Sequence, residues 1–257
     1  VGRDCWWGKC SFSSWTTTYP RFRTRTPESL LSEIGMLIER YHVREVFDDT
    51  GTFPTGQWLT KFCEGMIEHG FNEKIRFSCN MRFGVLKQEH YVLMRKAGFR
   101  MLLFGLESAN QNTLDRLNKG IQVGDIIRGC EMAKKADLEP HLTVMVGYPW
   151  ETKEDAIKTL SLAKELFRKG YADTLQATVV VPYPGTPLFE ECKEHGWLKT
   201  ENWEEYDMRY STMHSPIDEK EIKELTQGLY KIFFSPRYIL RKIISMRSMD
   251  DLYFMKK

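Results

Sequence analysis

A short apolar run followed by an amphipathic helical stretch recurs five times in this chain, and that alternation restricts the fold more than any other feature. The apolar runs cover 43–47, 74–79, 101–106, 141–147 and 174–181. Helical spacing or capping signals mark 26–41, 58–68, 88–97, 108–120, 125–136, 152–167 and 188–195. Thr26-Pro27 has the form of an N-cap followed by proline at the first helical position, and Ser108 that of a cap on the helix after it. The unbroken run Met101-Leu102-Leu103-Phe104-Gly105-Leu106 reads as a strand covered on both faces. Strands alternating with helices give a parallel sheet joined by right-handed crossovers. The expected fold is therefore α/β: an incomplete (β/α)6 TIM-like barrel of parallel strands over 1–200, with a truncated first strand. A mostly helical C-terminal extension is expected over 201–257. No Gly-x-Gly-x-x-Gly follows the opening strand, which argues against a dinucleotide-binding fold.

In barrels of this type the chemistry lies beyond the carboxyl ends of the strands. The residues at those ends are Asp48-Asp49, Asn80-Met81-Arg82, Glu107-Ser108, Gly147-Tyr148-Pro149 and Pro182-Tyr183. At the start of the chain a further stretch, 5–15, holds Cys5, Cys10 and four aromatic residues, and it falls at the same mouth. Thiolates are the soft ligands that hold iron–sulfur clusters or zinc, but two are too few for either. A third cysteine at Ser13 would complete a loop able to wrap a cluster. Arg21 to Arg25 alternates arginine with other residues and reads as a solvated edge.

Composition closes off other classes. A net charge of +2 over 257 residues does not argue for nucleic acid. No apolar run approaches the roughly 20 residues needed to span a bilayer. Cys63, Cys79, Cys130 and Cys192 are scattered without ligand spacing, which reads as buried thiols in a reducing cytoplasm. The few residues before Cys5 leave too little room for a full strand, so the chain is expected to be a piece of something longer. The basic and apolar stretch 236–246 is expected to pack across the barrel, with a weak membrane-surface contact as the alternative.

The loop resembles the cluster loop of the radical S-adenosylmethionine (radical SAM) superfamily, which shows Cys, three residues, Cys, then an aromatic immediately before a final Cys. Cys10-Ser11-Phe12-Ser13 reproduces the second half with serine as the last residue, and four residues rather than three separate Cys5 from Cys10. Phe104-Gly105-Leu106-Glu107-Ser108 with the segment 114–120, the segment 146–155, the segment 182–188 and Asp48-Asp49-Thr50 are also similar to that family's strand-end motifs. Ser235-Pro236-Arg237-Tyr238 fits the subgroup with an N-terminal cobalamin-binding domain. The resemblance implies a 4Fe-4S cluster and S-adenosylmethionine as cofactors, with cobalamin bound by a domain outside this chain. It implies Cys5 and Cys10 as metal ligands with Ser13 in the third place, Phe12 against adenine, and Glu107 with Ser108 at the polar part of S-adenosylmethionine. Val146, Gly147 and Val180 would offer backbone contacts. Asp48, Asp49 and Arg82 would share the mouth. A small organic substrate and a flavodoxin- or ferredoxin-type electron donor follow from the same likeness.

Each assignment has a plainer rival. Glu107 also suits a helix N-terminus, Asp48-Asp49 a turn, Arg82 a surface ion pair, and Trp6, Trp7 and Trp15 ordinary packing. Three readings of the chain stand side by side: a radical SAM enzyme core, a cluster-deficient barrel serving as a binding scaffold because of Ser13, and a zinc site built on Cys5 and Cys10.

Overall fold

The computed structural model describes residues 1–208 and 210–245. It opens with β1 (Gly2–Arg3), α1 (Trp15–Thr18), β2 (Arg23–Thr24) and α2 (Pro27–Tyr41). The repeating part is β3 (Glu45–Asp48), α3 (Gln57–Glu68), α4 (Phe71–Lys74), β4 (Arg76–Met81), α5 (Gln88–Lys96), β5 (Phe99–Glu107), α6 (Gln111–Arg116), α7 (Val123–Lys135), β6 (Glu139–Val146), α8 (Lys153–Lys169) and β7 (Thr174–Val179). Then come α9 (Pro187–Glu194), α10 (Glu219–Tyr230) and α11 (Pro236–Ser245).

Strands β3 to β7 form one sheet in sequence order, every neighbouring pair parallel. This is the expected partial barrel, with five strands in the sheet instead of six. The truncated leading strand stays outside it: β1 pairs antiparallel with β2, and only Cys5 bridges in parallel to Thr52. The arginine-rich edge at β2 is exposed, as expected, and Arg25 pairs with Glu33.

The helices cover one face of the sheet and leave the other face, inside the half-barrel, partly open. Leu102, Phe104 and Leu106 of β5 and Leu142, Val144 and Val146 of β6 are fully buried under helices. Their alternates Met101, Leu103 and Gly105, and His141, Thr143 and Met145, are only half-buried. The apolar run 101–106 is thus not covered equally on both faces, because a barrel that does not close keeps an accessible interior. The core on the helix side centres on Phe53, whose ring lies 5.3–5.7 Å from those of Trp58, Phe62, Phe77 and Phe99.

Caps follow the sequence where a side chain is free to serve. Thr26 accepts from the Ser29 amide before Pro27, and Thr152 from that of Asp155. At α6 the cap is Asn110, not Ser108, which is wholly buried and engaged elsewhere. The extension packs back on the barrel through its described part. Tyr230 Oη accepts from Ala177 N (3.0 Å) and donates to Ala177 O (3.3 Å) along the free edge of β7. Tyr238 Oη donates to Asp173 O (2.7 Å), and Arg241 donates to Phe167 O and Ala172 O. That is the packing expected of 236–246, except that Met246 lies outside the described residues.

His141, on the interior face of β6, shares a hydrogen bond with Thr174 Oγ1 through Nδ1 (2.8 Å), while Nε2 is buried with no partner. Burial pushes its pKa down to about 4. Because the folded value lies below the unfolded one of about 6.5, the unfolded chain takes up a proton first as pH falls. Stability is therefore full above that unfolded value and drains away towards pH 4, by up to about 3 kcal/mol. His141→Gln should flatten that part of the urea-midpoint-versus-pH curve; an unchanged slope between pH 6.5 and 4 would refute it.

Candidate active site

The mouth at the carboxyl ends of the strands gathers the thiol loop, the end of β5 and the turn after α6. Residue 107 is the pivot. The register of β5 against β6 shifts between Gly105 and Glu107, and Glu107 has φ of 57°. A left-handed conformation costs a non-glycine residue about 1–2 kcal/mol. Here it accompanies a carboxylate aimed into the half-barrel: Glu107 Oε1 accepts from Lys119 Nζ (2.7 Å), and Oε2 lies 3.5 Å from Thr143 Oγ1. Both side chains of the pair are buried, at 7% and 12% exposure. The pair lies directly over Gly105, where a Cβ would collide with Glu107 Oε1 and Lys119 Nζ. Burial alone would lower the Lys119 ammonium, but Glu107 carries the net shift upward.

Lys119 escaped the sequence reading, because a lysine in a polar turn reads as solvated. Its inward placement comes from the backbone. Asn118 (φ 51°) and Gly120 (φ 61°) are both left-handed and fold the turn back over the mouth. Asparagine and glycine are the residues that tolerate this. Phe12 from the thiol loop covers the ammonium, with Nζ 5.5 Å from the ring centre.

The thiol loop is tied down at several points. Ser11 N donates to Leu117 O (3.0 Å), and Leu188 N donates to Ser11 O (2.9 Å). Trp6 Nε1 donates to Phe53 O (3.2 Å) and Trp7 Nε1 to Asn118 O (2.9 Å). Thr52 Oγ1 donates to Gly51 O, which leaves the Cys5 thiol as donor to Thr52 Oγ1 at 3.0 Å. Burial pushes the Cys10 thiol up, against the pull of Lys119 and Arg82. Ser13 follows on the same loop, half-buried, just before α1.

Arg82 is not at a surface ion pair. It is buried, lies 4.0 Å over the Trp7 ring, and donates to Lys119 O. Asp48 is buried and accepts from Thr50 N (3.1 Å) within the turn, and Asp49 accepts from Asn80 at the rim. The Val180 amide is spent on Val146 O (2.9 Å) and Val180 is buried, so that amide is not free for the backbone contact expected of it. Gly147 is left-handed (φ 95°) at the end of β6.

Ser108 works beneath the site. Its hydroxyl donates to Glu151 Oε1 (2.6 Å) and accepts from Asn110 N (3.0 Å). Glu151 is fully buried, its other oxygen has no partner, and burial pushes its carboxyl up. It too went unremarked in the sequence, where it stands at the start of a capped helix. Among the described residues no group of three or more Cys, His, Asp or Glu side chains is placed so that it could hold a metal ion.

A half-barrel of parallel strands with a thiol loop and a buried carboxylate at its carboxyl mouth describes a class of cofactor-dependent enzyme cores. The profile of the Radical SAM superfamily matches residues 1–163, and the chain belongs to that family. An uncharacterized methyltransferase of Pyrococcus horikoshii is 27% identical over 239 residues, covering 91% of this chain and 50% of the relative. The anaerobic magnesium-protoporphyrin IX monomethyl ester cyclase of Cereibacter sphaeroides is 29% identical over 189 residues, covering 72% of this chain and 30% of the relative. The fold is that of the radical S-adenosylmethionine methyltransferase TsrM from Kitasatospora setae, solved with cobalamin and a 4Fe-4S cluster. The TM-score is 0.62 at 15% identity, over 79% of this chain and 40% of that one. The chain spans half or less of the length of these relatives. The family uses a 4Fe-4S cluster and S-adenosylmethionine. Among the described residues no helix is long and apolar enough to cross a membrane.

Proposed function

We propose that this chain is the catalytic core of an enzyme that cleaves S-adenosylmethionine reductively to start a methyl transfer or related modification of a small organic substrate. The observation that carries this is the buried Glu107–Lys119 pair beneath the thiol loop. A carboxylate and an ammonium held side by side match the two charges of a methionine end. Cys5 and Cys10 supply two soft ligands for the cluster, and Arg82 and Lys119 place positive charge beside an anionic group. Ser13 supplies only a hard hydroxyl in the third place, so the donor set fits at two positions of three.

When bound, the cluster supplies the electron and the sulfonium supplies the carbon radical; the protein binds, orients and excludes competing reactions. Glu107 takes the methionine ammonium. Phe12 and the strand ends at Val146, Gly147 and Val180 enclose the nucleoside, and Ser108 with Glu151 holds the β5 and β6 loops together. A cobalamin on a domain outside this chain and an electron donor of flavodoxin or ferredoxin type complete the system.

The test is anaerobic reconstitution of this chain and of Ser13→Cys with iron and sulfide. We expect Ser13→Cys to take up about four irons per chain and to release 5′-deoxyadenosine from S-adenosylmethionine on reduction, with this chain well below it in both. If Ser13→Cys binds no iron, the cluster assignment is wrong.

A further inference from the structure

We infer that Trp7 and Arg82 form a clamp, seated on Gly120, that sets the shape of the thiol loop before any cofactor arrives. The inference rests on the reading of 5–13 as the cofactor loop and adds two positioning residues to it. Trp7 lies midway between Cys5 and Cys10. Its indole plane is held from three directions. The nitrogen donates to Asn118 O (2.9 Å). The Arg82 guanidinium covers the ring at 4.0 Å, and Lys9 Nζ lies 5.1 Å from the ring centre. The ring also rests against Gly120, where an added Cβ would overlap Trp7 Cζ2 and Cη2 and sit 3.2 Å from Arg82 Nη2.

The turn is built to receive this ring. The left-handed residues Asn118 and Gly120 flank Lys119, and the carbonyls of 118 and 119 are the acceptors for Trp7 and Arg82 respectively. One backbone turn thus fixes the loop through Trp7 and aims Lys119 at Glu107. Arg82 is buried at the end of β4, with only 6% exposure, and a desolvated guanidinium over an indole is the strong form of the cation–π contact. None of these contacts needs a metal. The clamp keeps both thiols near one mouth, so less ordering remains to be done when a cluster binds.

The test needs no cofactor. The six cysteines are free, with Cys5 and Cys10 half-buried and Cys63, Cys79, Cys130 and Cys192 buried, so each molecule carries its own control. Iodoacetamide labelling of the apo chain, resolved by mass spectrometry, should show Cys5 and Cys10 reacting about tenfold faster in Trp7→Leu, Arg82→Met and Gly120→Ala. Arg82→Lys, which keeps the charge but not the planar stack, should react at a rate between those of the parent and Arg82→Met, and the four buried thiols should remain protected in all. Iron uptake after reconstitution, read in a Ser13→Cys background, should fall in the same three variants. The clamp is refuted if Cys5 and Cys10 keep their parent rates, or if all six thiols open together, since the latter would make Trp7 a general core residue. Loss of iron uptake in every protein, with the labelling pattern as expected, would overturn the cluster reading and leave the clamp standing.

Discussion

Glu107→Gln should lower stability by about 3 kcal/mol and abolish S-adenosylmethionine binding together. Removing one member of a buried ion pair leaves the other charge without compensation, at a typical cost of about 3–5 kcal/mol. Lys119 is that stranded partner: its side chain is 12% exposed, and Glu107 is what holds its ammonium above the ordinary value. The loss should sit at the low end, since Lys119 can move outward from the turn. Adding Lys119→Met to Glu107→Gln should restore most of the melting temperature and none of the binding. Thermal denaturation with equilibrium dialysis of labelled S-adenosylmethionine separates the two effects. A double variant as unstable as the single one would show that the pair is not the cause.

Phe53→Ala should cost about 3–5 kcal/mol and lower the melting temperature by roughly 10 °C. Phe53 is completely buried and packs against four other rings, Trp58 and Phe62 from α3, Phe77 from β4 and Phe99 from β5. Those elements are fixed by the sheet, so the cavity has little means of collapsing. Phe53→Leu should recover more than half of the loss in the same calorimetric scan. Equal melting temperatures for Phe53→Ala and the parent would place the core elsewhere.

Much of the architecture is legible in the sequence because it rests on local signals. Apolar runs alternate with capped helices, and the order of strands in space is the order in the chain. The strand-end residues therefore fall together without any long-range knowledge. Glu107 is visible as the first acid after an apolar strand. What stays hidden depends on backbone conformations a few residues long. Lys119 and Arg82 look like ordinary surface cations until the turn with Asn118 and Gly120 left-handed brings a carbonyl to one and a carboxylate to the other. Trp7 looks like packing because all its partners but Lys9 are more than seventy residues away. Ser108 resembles a cap in the sequence, but a buried carboxyl at Glu151 claims its hydroxyl, and Asn110 takes over the cap. The half-exposed interior face could not be read from the apolar run at 101–106, since composition does not report whether a barrel closes.

The phenol of Tyr230 occupies both the donor and the acceptor of Ala177 on the last strand of the sheet. An open edge strand is a template on which another chain can add a strand and seed aggregation. A version trimmed before α10 would expose that template along with the apolar flank of β7, so the sheet and its final helices are best expressed, labelled and crystallised as one piece.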